Sequence, residues 1–352
     1  MTDTCTPPAR TSAGGNHETH LRVVKLDNEV GTESGDAEVI SGLCTRQKTL
    51  PSRFFYDDHG SQLYKRICET PEYYPWRTER DLLSDCVGDI AELAGPSDLV
   101  ELGSGSAVKT KLLMMAFLSR QGRVRYIPID VNDSVLEESA KALLDAYSGL
   151  DIRALVGTYE QGLAALHRLD PTEAKGENEE GPRHRLALFL GSTIGNFTPA
   201  MVDRLHSGLH DALGPGDHFL IGTDLHKDPA LIEAAYNDRE GVTAAFNLNM
   251  LDHLNARYDG DFDTTRFAHW AFYNEEMRRI EMHLRSLVEQ KVTLGKLGLT
   301  FALGQGETIR TEISRKFTLG DVAQSLTKRG FTVVRAWTDP RRWYGITLAK
   351  VI

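Results

Sequence analysis

The sequence predicts an α/β fold: a wound, mostly parallel sheet interrupted by a separate α+β unit. Three observations carry this. From about residue 81, short apolar runs alternate with helix-like segments, the rhythm of β/α winding. A glycine-rich loop joins the first of these runs to the first of these helices. The rhythm breaks after Asp224 and returns at Leu319, as it would around an insertion.

Taken in order, Asp98–Leu102 reads as a buried strand, Lys109–Leu118 as a helix, Val124–Asp130 as a strand and Ser134–Tyr147 as a helix. Ile152–Val156, Leu186–Leu190 and His218–Gly222 supply further strands, with a helix over Pro199–Leu213. Pro171–Arg185 is polar and charged and reads as a surface loop. Asp228-Pro229 opens a helix, with Asp as N-cap and Pro in the first turn. Val242–Arg257 is a second helix of the inserted unit, and Arg279–Arg285, Leu299–Leu303 and Thr308–Ile313 are its strands. A helix over Leu319–Arg329 and strands over Phe331–Trp337 and Trp343–Val351 complete the sheet.

The chain has 352 residues, enough for two domains. Its 40 Lys+Arg against 50 Asp+Glu lack the basic surplus of a nucleic-acid binder, so no nucleic-acid partner is expected. No apolar run approaches the ~18 residues of a membrane span, so no membrane partner is expected either. Cys5, Cys44, Cys68 and Cys86 contain no C-x-x-C, and the N-terminus has no apolar signal core. A cytoplasmic monomer is the expectation. Residues 1–40 are acidic and rich in Thr, Gly, Ser and Glu, and read as a flexible tail; their apolar patch, Leu21–Leu26, can add one short strand.

The sharpest motif is Glu101-Leu-Gly-Ser-Gly-Ser-Ala-Val-Lys109, between strand and helix. Gly103 and Gly105 let backbone approach a ligand, and the helix start offers free N–H groups. A dinucleotide fingerprint needs a third glycine where Val108 stands, which disfavours a nicotinamide-dependent oxidoreductase. An acidic residue just before G-x-G, here Glu101, suits S-adenosylmethionine, which carries no pyrophosphate. Glu101 can meet its ammonium, directly or through water. Lys109 can support the helix N-terminus or the cofactor carboxylate, and Asp130, ending the next strand, can accept both ribose hydroxyls. Phe189–Asn196 follows the fourth strand; Gly191 and Gly195 keep backbone close to a ligand, and Asn196 offers a donor and an acceptor, or serves as a left-handed turn residue.

At these residues the sequence resembles the histidine-specific S-adenosylmethionine-dependent methyltransferase family of ergothioneine biosynthesis. The resemblance runs from about Lys48 to the C-terminus through linked motifs: Arg53–Asp57, Pro71–Glu79, Val100–Gly105, Phe189–Asn196, Gly222–Leu225, Gly241–Asn247, Arg279–Arg285 and Thr311–Ser314. It implies Nα-trimethylation of free L-histidine to hercynine with S-adenosylmethionine and no metal. The same fold acting on another small amino acid or amine is the alternative. The implied architecture is a Rossmann-like class I methyltransferase sheet (81–224 and 316–352) with a second, partly inserted α+β substrate-binding domain (41–80 and 225–315).

The resemblance also implies roles. Asn196 and Tyr236 hold the histidine carboxylate, both being uncharged donors. Tyr56 and Tyr73 lie near the α-amine and are the expected catalytic pair, because neutral phenols orient an amine without keeping it protonated. Glu312 and Ser314, two apart on a strand and therefore on one face, grip the imidazole, and Met282 lines the ring pocket. Gly103, Ser104, Gly105 and Gly191 form the cofactor cradle. After the third strand Thr158 stands where many members of this fold carry an acid, and Tyr159 is placed to stack near the adenine.

Overall fold

The structure, a computed structural model, describes residues 20–26, 31–105, 107–166 and 184–352. Most of the expected loop Pro171–Arg185 and the first nineteen residues lie outside that set.

The main sheet has eight strands: β1 (Leu21–Lys25), β3 (Ser97–Leu102), β4 (Val124–Asp130), β5 (Leu150–Val156), β6 (His184–Phe189), β7 (His218–Asp224), β13 (Phe331–Thr338) and β14 (Tyr344–Val351). Their order is β1-β5-β4-β3-β6-β7-β14-β13. Pairing is parallel from β1 to β7, and the C-terminal hairpin adds two antiparallel strands. Every residue of β3 is buried, as expected of a central parallel strand covered on both faces.

Side-chain alternation splits the core across this sheet. Leu99, Tyr126 and Ile152 point to one face, where they meet α3 (Tyr74–Ala94), α4 (Thr110–Gln121) and α5 (Asp133–Ala146). Val100, Ile127 and Leu155 point to the other, against α6 (Tyr159–Ala165), α7 (Pro199–Ala212) and α10 (Leu319–Thr327). Each fully buried Leu or Val contributes about 1.5–3 kcal/mol.

A third cluster stands apart from the main sheet. It combines α1 (Gly31–Leu43), α2 (Asp58–Glu69), α8 (Pro229–Ala234) and α9 (Val242–Tyr258) with a four-stranded sheet. That sheet runs in the order β2-β12-β9-β8, with β2 (Lys48–Thr49), β8 (Phe267–Asn274), β9 (Arg279–Ser286) and β12 (Thr308–Arg315). A separate hairpin joins β10 (Gln290–Leu294) to β11 (Leu299–Leu303). Asp228 caps α8 through the Ala230 N–H (2.9 Å), as the sequence predicts.

Within the segment read as a tail, Leu21–Lys25 forms the edge strand β1 on β5, the short strand that its apolar patch allows. The helix α1, not expected there, runs past residue 40 and buries Val39 and Leu43. Residues 80 and 81, between which the two domains are expected to meet, lie within α3, whose Tyr74 belongs to the third cluster while Leu82 to Ala94 pack under the main sheet. Strands β8 and β10 were not foreseen. No helix among the described residues is long and apolar enough to cross a membrane.

Candidate active site

A cavity of about 2700 Å³ opens at the carboxyl ends of the parallel strands, between the main sheet and the four-stranded one. The residues expected to hold cofactor and substrate line it, whereas Gly195 does not.

The glycine loop forms the floor of one half. Gly103 adopts φ 72°, and a Cβ there would lie 2.8 Å from the Tyr159 hydroxyl, so both conformation and space require glycine. The Gly105 N–H donates to Asp130 (3.1 Å), and the Asn132 N–H donates to the other carboxylate oxygen (3.0 Å). Asp130 therefore ties the loop to the end of β4 while facing the cavity. The space above Gly105 is open on the side where a Cβ would project. A concave backbone cradle beside a strand-end carboxylate fits a nucleoside with an amino-acid tail.

Glu101 is buried and accepts hydrogen bonds from the Thr110 and Tyr126 hydroxyls. Burial pushes its carboxyl up to about 7, against the pull of those two hydroxyls. Ser104 is buried beside it. Lys109 lines the cavity at the start of α4. Its ammonium pairs with Glu79 of α3, which is wholly buried, and Glu79 also accepts the Gly191 N–H (2.8 Å). Glu79 thus joins α3, the glycine loop and the turn after β6. Thr158 caps α6 in a reciprocal box with Gln161, so its hydroxyl is committed to the helix. Tyr159 sets its ring edge-on to Phe189 at 5.5 Å.

The other half is aromatic and acidic. Gly195 does not face a ligand: a Cβ there would sit 3.0 Å from the Arg315 carbonyl oxygen, so glycine lets the turn Thr193–Asn196 pack on β12. Ser192, not Asn196, takes the left-handed conformation (φ 54°), and Asn196 lines the cavity with no hydrogen-bond partner for its amide among the described residues. Glu312 stands directly opposite Met282 in the β12–β9 ladder. Its carboxylate has no hydrogen-bond or ion-pair partner among the described residues. Burial pushes it up to about 7, with Lys316 pulling the other way.

Tyr56, Tyr64, Tyr73 and Tyr236 form a chain of edge-on rings with centroids 5.8, 6.4 and 6.1 Å apart. Tyr56 is 44 % exposed because it faces the cavity, yet the enclosing protein raises its hydroxyl, as burial does for the other three. All four stay neutral phenols near pH 7. Tyr64 escaped the sequence reading; it occupies an ordinary helical position in α2, with no local signal.

Behind Tyr236 lies a buried charge cluster. Asp224, at the end of β7, accepts from Tyr74 (2.9 Å) and pairs with Lys227 and with Lys316 (2.9 Å). Burial raises Asp224, but the two ammonium groups outweigh it and hold the carboxyl below its ordinary value.

The unpartnered Glu312 has a measurable cost. The folded-state carboxyl titrates near 7 instead of 4.5, so the native protein binds this proton more tightly than the unfolded chain. Its contribution to stability therefore falls as pH rises from about 4.5 to about 7 and stays low above that. Glu312→Gln removes the titration. In the substrate-free protein it is expected to be about 1–2 kcal/mol more stable than wild type near pH 8, water in the cavity damping the effect. The gain should vanish near pH 4.5, which thermal unfolding at the two pH values will check.

Comparison with known proteins accords with this geometry. Residues 35–351 match the model of the family described as histidine-specific methyltransferase, SAM-dependent. The histidine N-alpha-methyltransferase of Mycobacterium tuberculosis is 40% identical over 330 residues, covering 93% of this chain and 99% of that protein. Its namesake from Mycolicibacterium smegmatis is 40% identical over 312 residues, 89% of this chain and 93% of that one. A 4-dimethylallyltryptophan N-methyltransferase of Trichophyton verrucosum is 30% identical over 316 residues, 87% and 90% of the two chains. With nearly its whole length matched, this chain belongs to the histidine-specific, S-adenosylmethionine-dependent methyltransferase family.

Proposed function

We propose that the protein methylates the α-amine of free L-histidine three times, giving hercynine, with S-adenosylmethionine as donor. The observation that carries the histidine reading is Glu312: a half-buried carboxylate that lines the cavity across from Met282 and has no hydrogen-bond or ion-pair partner among the described residues. It awaits an N–H donor on a flat, partly apolar group, which describes imidazole. An apolar ring would leave that carboxylate unsatisfied.

Bound S-adenosylmethionine supplies an activated methyl group on a sulfonium. Glu101, Gly103, Ser104, Gly105, Asp130, Tyr159 and Gly191 are the residues that would hold it, and Thr158 contributes the cap that places Tyr159. The remaining work is positioning. The Asn196 amide and Tyr236 hydroxyl donate to the histidine carboxylate, with the Lys227–Asp224–Lys316 cluster adding positive potential beneath. Ser314 faces the second imidazole nitrogen. Tyr56 and Tyr73 surround the amine with uncharged oxygens. A carboxylate in their place would hold the amine as ammonium and remove its lone pair; a phenol whose proton is held tightly does not. Fixing the amine in a dry, directed pocket can lower the barrier by several kcal/mol.

The test is direct. Purified protein, S-adenosylmethionine and a mixture of free amino acids are incubated and resolved by mass spectrometry. Histidine should appear as mono-, di- and trimethylated species while other amino acids remain unchanged. Methylation of tryptophan or another amine with histidine untouched would overturn the substrate assignment.

A further inference from the structure

We propose that Lys316 is a positioning residue for the acceptor pocket: its ammonium occupies lone pairs of Ser314 and Tyr236, leaving both hydroxyls to donate to the substrate. The inference rests on the histidine reading above and deepens it.

Lys316 follows Ser314 by two residues, just past the end of β12, and its side chain is wholly inaccessible to solvent. An ammonium has three N–H donors and no acceptor. Here all three have partners: Asp224 at 2.9 Å, the Ser314 hydroxyl oxygen at 2.8 Å and the Tyr236 hydroxyl oxygen at 3.4 Å. Neither hydroxyl can donate to Lys316. Ser314 and Tyr236 also lie against one another, so the hydrogens they carry are directed at each other or at the cavity. A ligand presenting two acceptors draws both. L-Histidine presents such a pair: a carboxylate for Tyr236 and an unprotonated ring nitrogen for Ser314.

The consequence is selection of one protonation state of the ring. Glu312 accepts from the imidazole N–H, and Ser314, with one of its two lone pairs taken by Lys316, is biased to donate to a bare nitrogen on the other side. Neutral imidazole in a single tautomer satisfies both, whereas an imidazolium N–H has only the one lone pair that Lys316 leaves on Ser314. Without Lys316, Ser314 could turn and accept, and that discrimination would fade.

The alternative is that Lys316 only neutralises Asp224 in the core. Lys316→Met separates the two, because Asp224 keeps Lys227 and Tyr74 as partners. Calorimetry is run with histidine titrated into protein saturated with S-adenosylhomocysteine, and with S-adenosylhomocysteine alone. Lys316→Met should weaken histidine binding by about 30-fold and change S-adenosylhomocysteine binding by about twofold or less. In a Ser314→Ala, Tyr236→Phe background the same substitution should add no more than about twofold, since its targets are gone. Lys316→Gln, which keeps an N–H donor, should recover part of the loss. Equal losses in both backgrounds, or histidine binding unaffected by Lys316→Met, would overturn the proposal. So would a loss of S-adenosylhomocysteine binding in both Lys316 variants, which marks a structural role. If the wild-type protein itself does not bind histidine, the functional reading fails first and the role of Lys316 falls with it.

Discussion

Glu312→Ala is expected to raise the KM for histidine by about 100-fold or more, with S-adenosylhomocysteine affinity unchanged. A hydrogen bond to a buried charged group is worth about 1.5–3 kcal/mol, and alanine also leaves a hole beside Met282. The cofactor half should be indifferent, because Glu312 makes no contact with the glycine loop, Asp130 or Glu79. Steady-state kinetics with histidine, paired with calorimetry on S-adenosylhomocysteine, will read both. A KM within a few fold of wild type would place the imidazole elsewhere in the cavity.

Glu79→Ala should be the most destabilising single change at the site, by about 3–5 kcal/mol, because it strips a buried ion pair of one member. Lys109 would be left with 15% exposure and no counter-charge, and the Gly191 N–H without its acceptor. Denaturant unfolding measures the loss, and weaker S-adenosylhomocysteine binding should accompany it. The exposed pair Lys141–Glu137 is the control: Glu137→Ala should cost less than about 0.5 kcal/mol. Replacing Glu79 and Lys109 together by Leu and Met should restore much of the stability but not the binding, since an apolar pair cannot hold the Gly191 N–H. Equal stability of Glu79→Ala and wild type would mean that the pair is solvated and does not organise the loop.

The cofactor half was legible because its signals are local. A strand, a G-x-G loop, a helix and an acid one strand later lie within about thirty residues, and physical constraints fix their order. Glu312, Ser314 and Met282 became legible only through the family resemblance, since alone they read as polar strand residues and core filling. Lys316 was within reach: it continues the two-residue alternation of Glu312 and Ser314. Glu79 was not, because its partners come from segments 30 and 112 residues away, and no local pattern predicts which buried carboxylate meets which ammonium. Before residue 41 the composition points to a tail, although its apolar patch allows the strand that forms. Composition averages over many polar residues, while α1 docks through a few apolar ones, Val39 within that segment and Leu43 just beyond it.

Helix α3 has a consequence beyond its hydrogen bonds. Tyr73 at its start lines the cavity, Tyr74 donates to Asp224, and Glu79 holds the Lys109 ammonium and the Gly191 N–H. At 1.5 Å per residue, the stretch from Tyr74 to Glu79 measures about 7.5 Å of rigid rod. On the proposed function, one turn and a half of helix would act as a ruler between acceptor and donor. Its graduations are set by covalent geometry, so changes on β9 and β12 would leave the gap that a methyl group must cross constant.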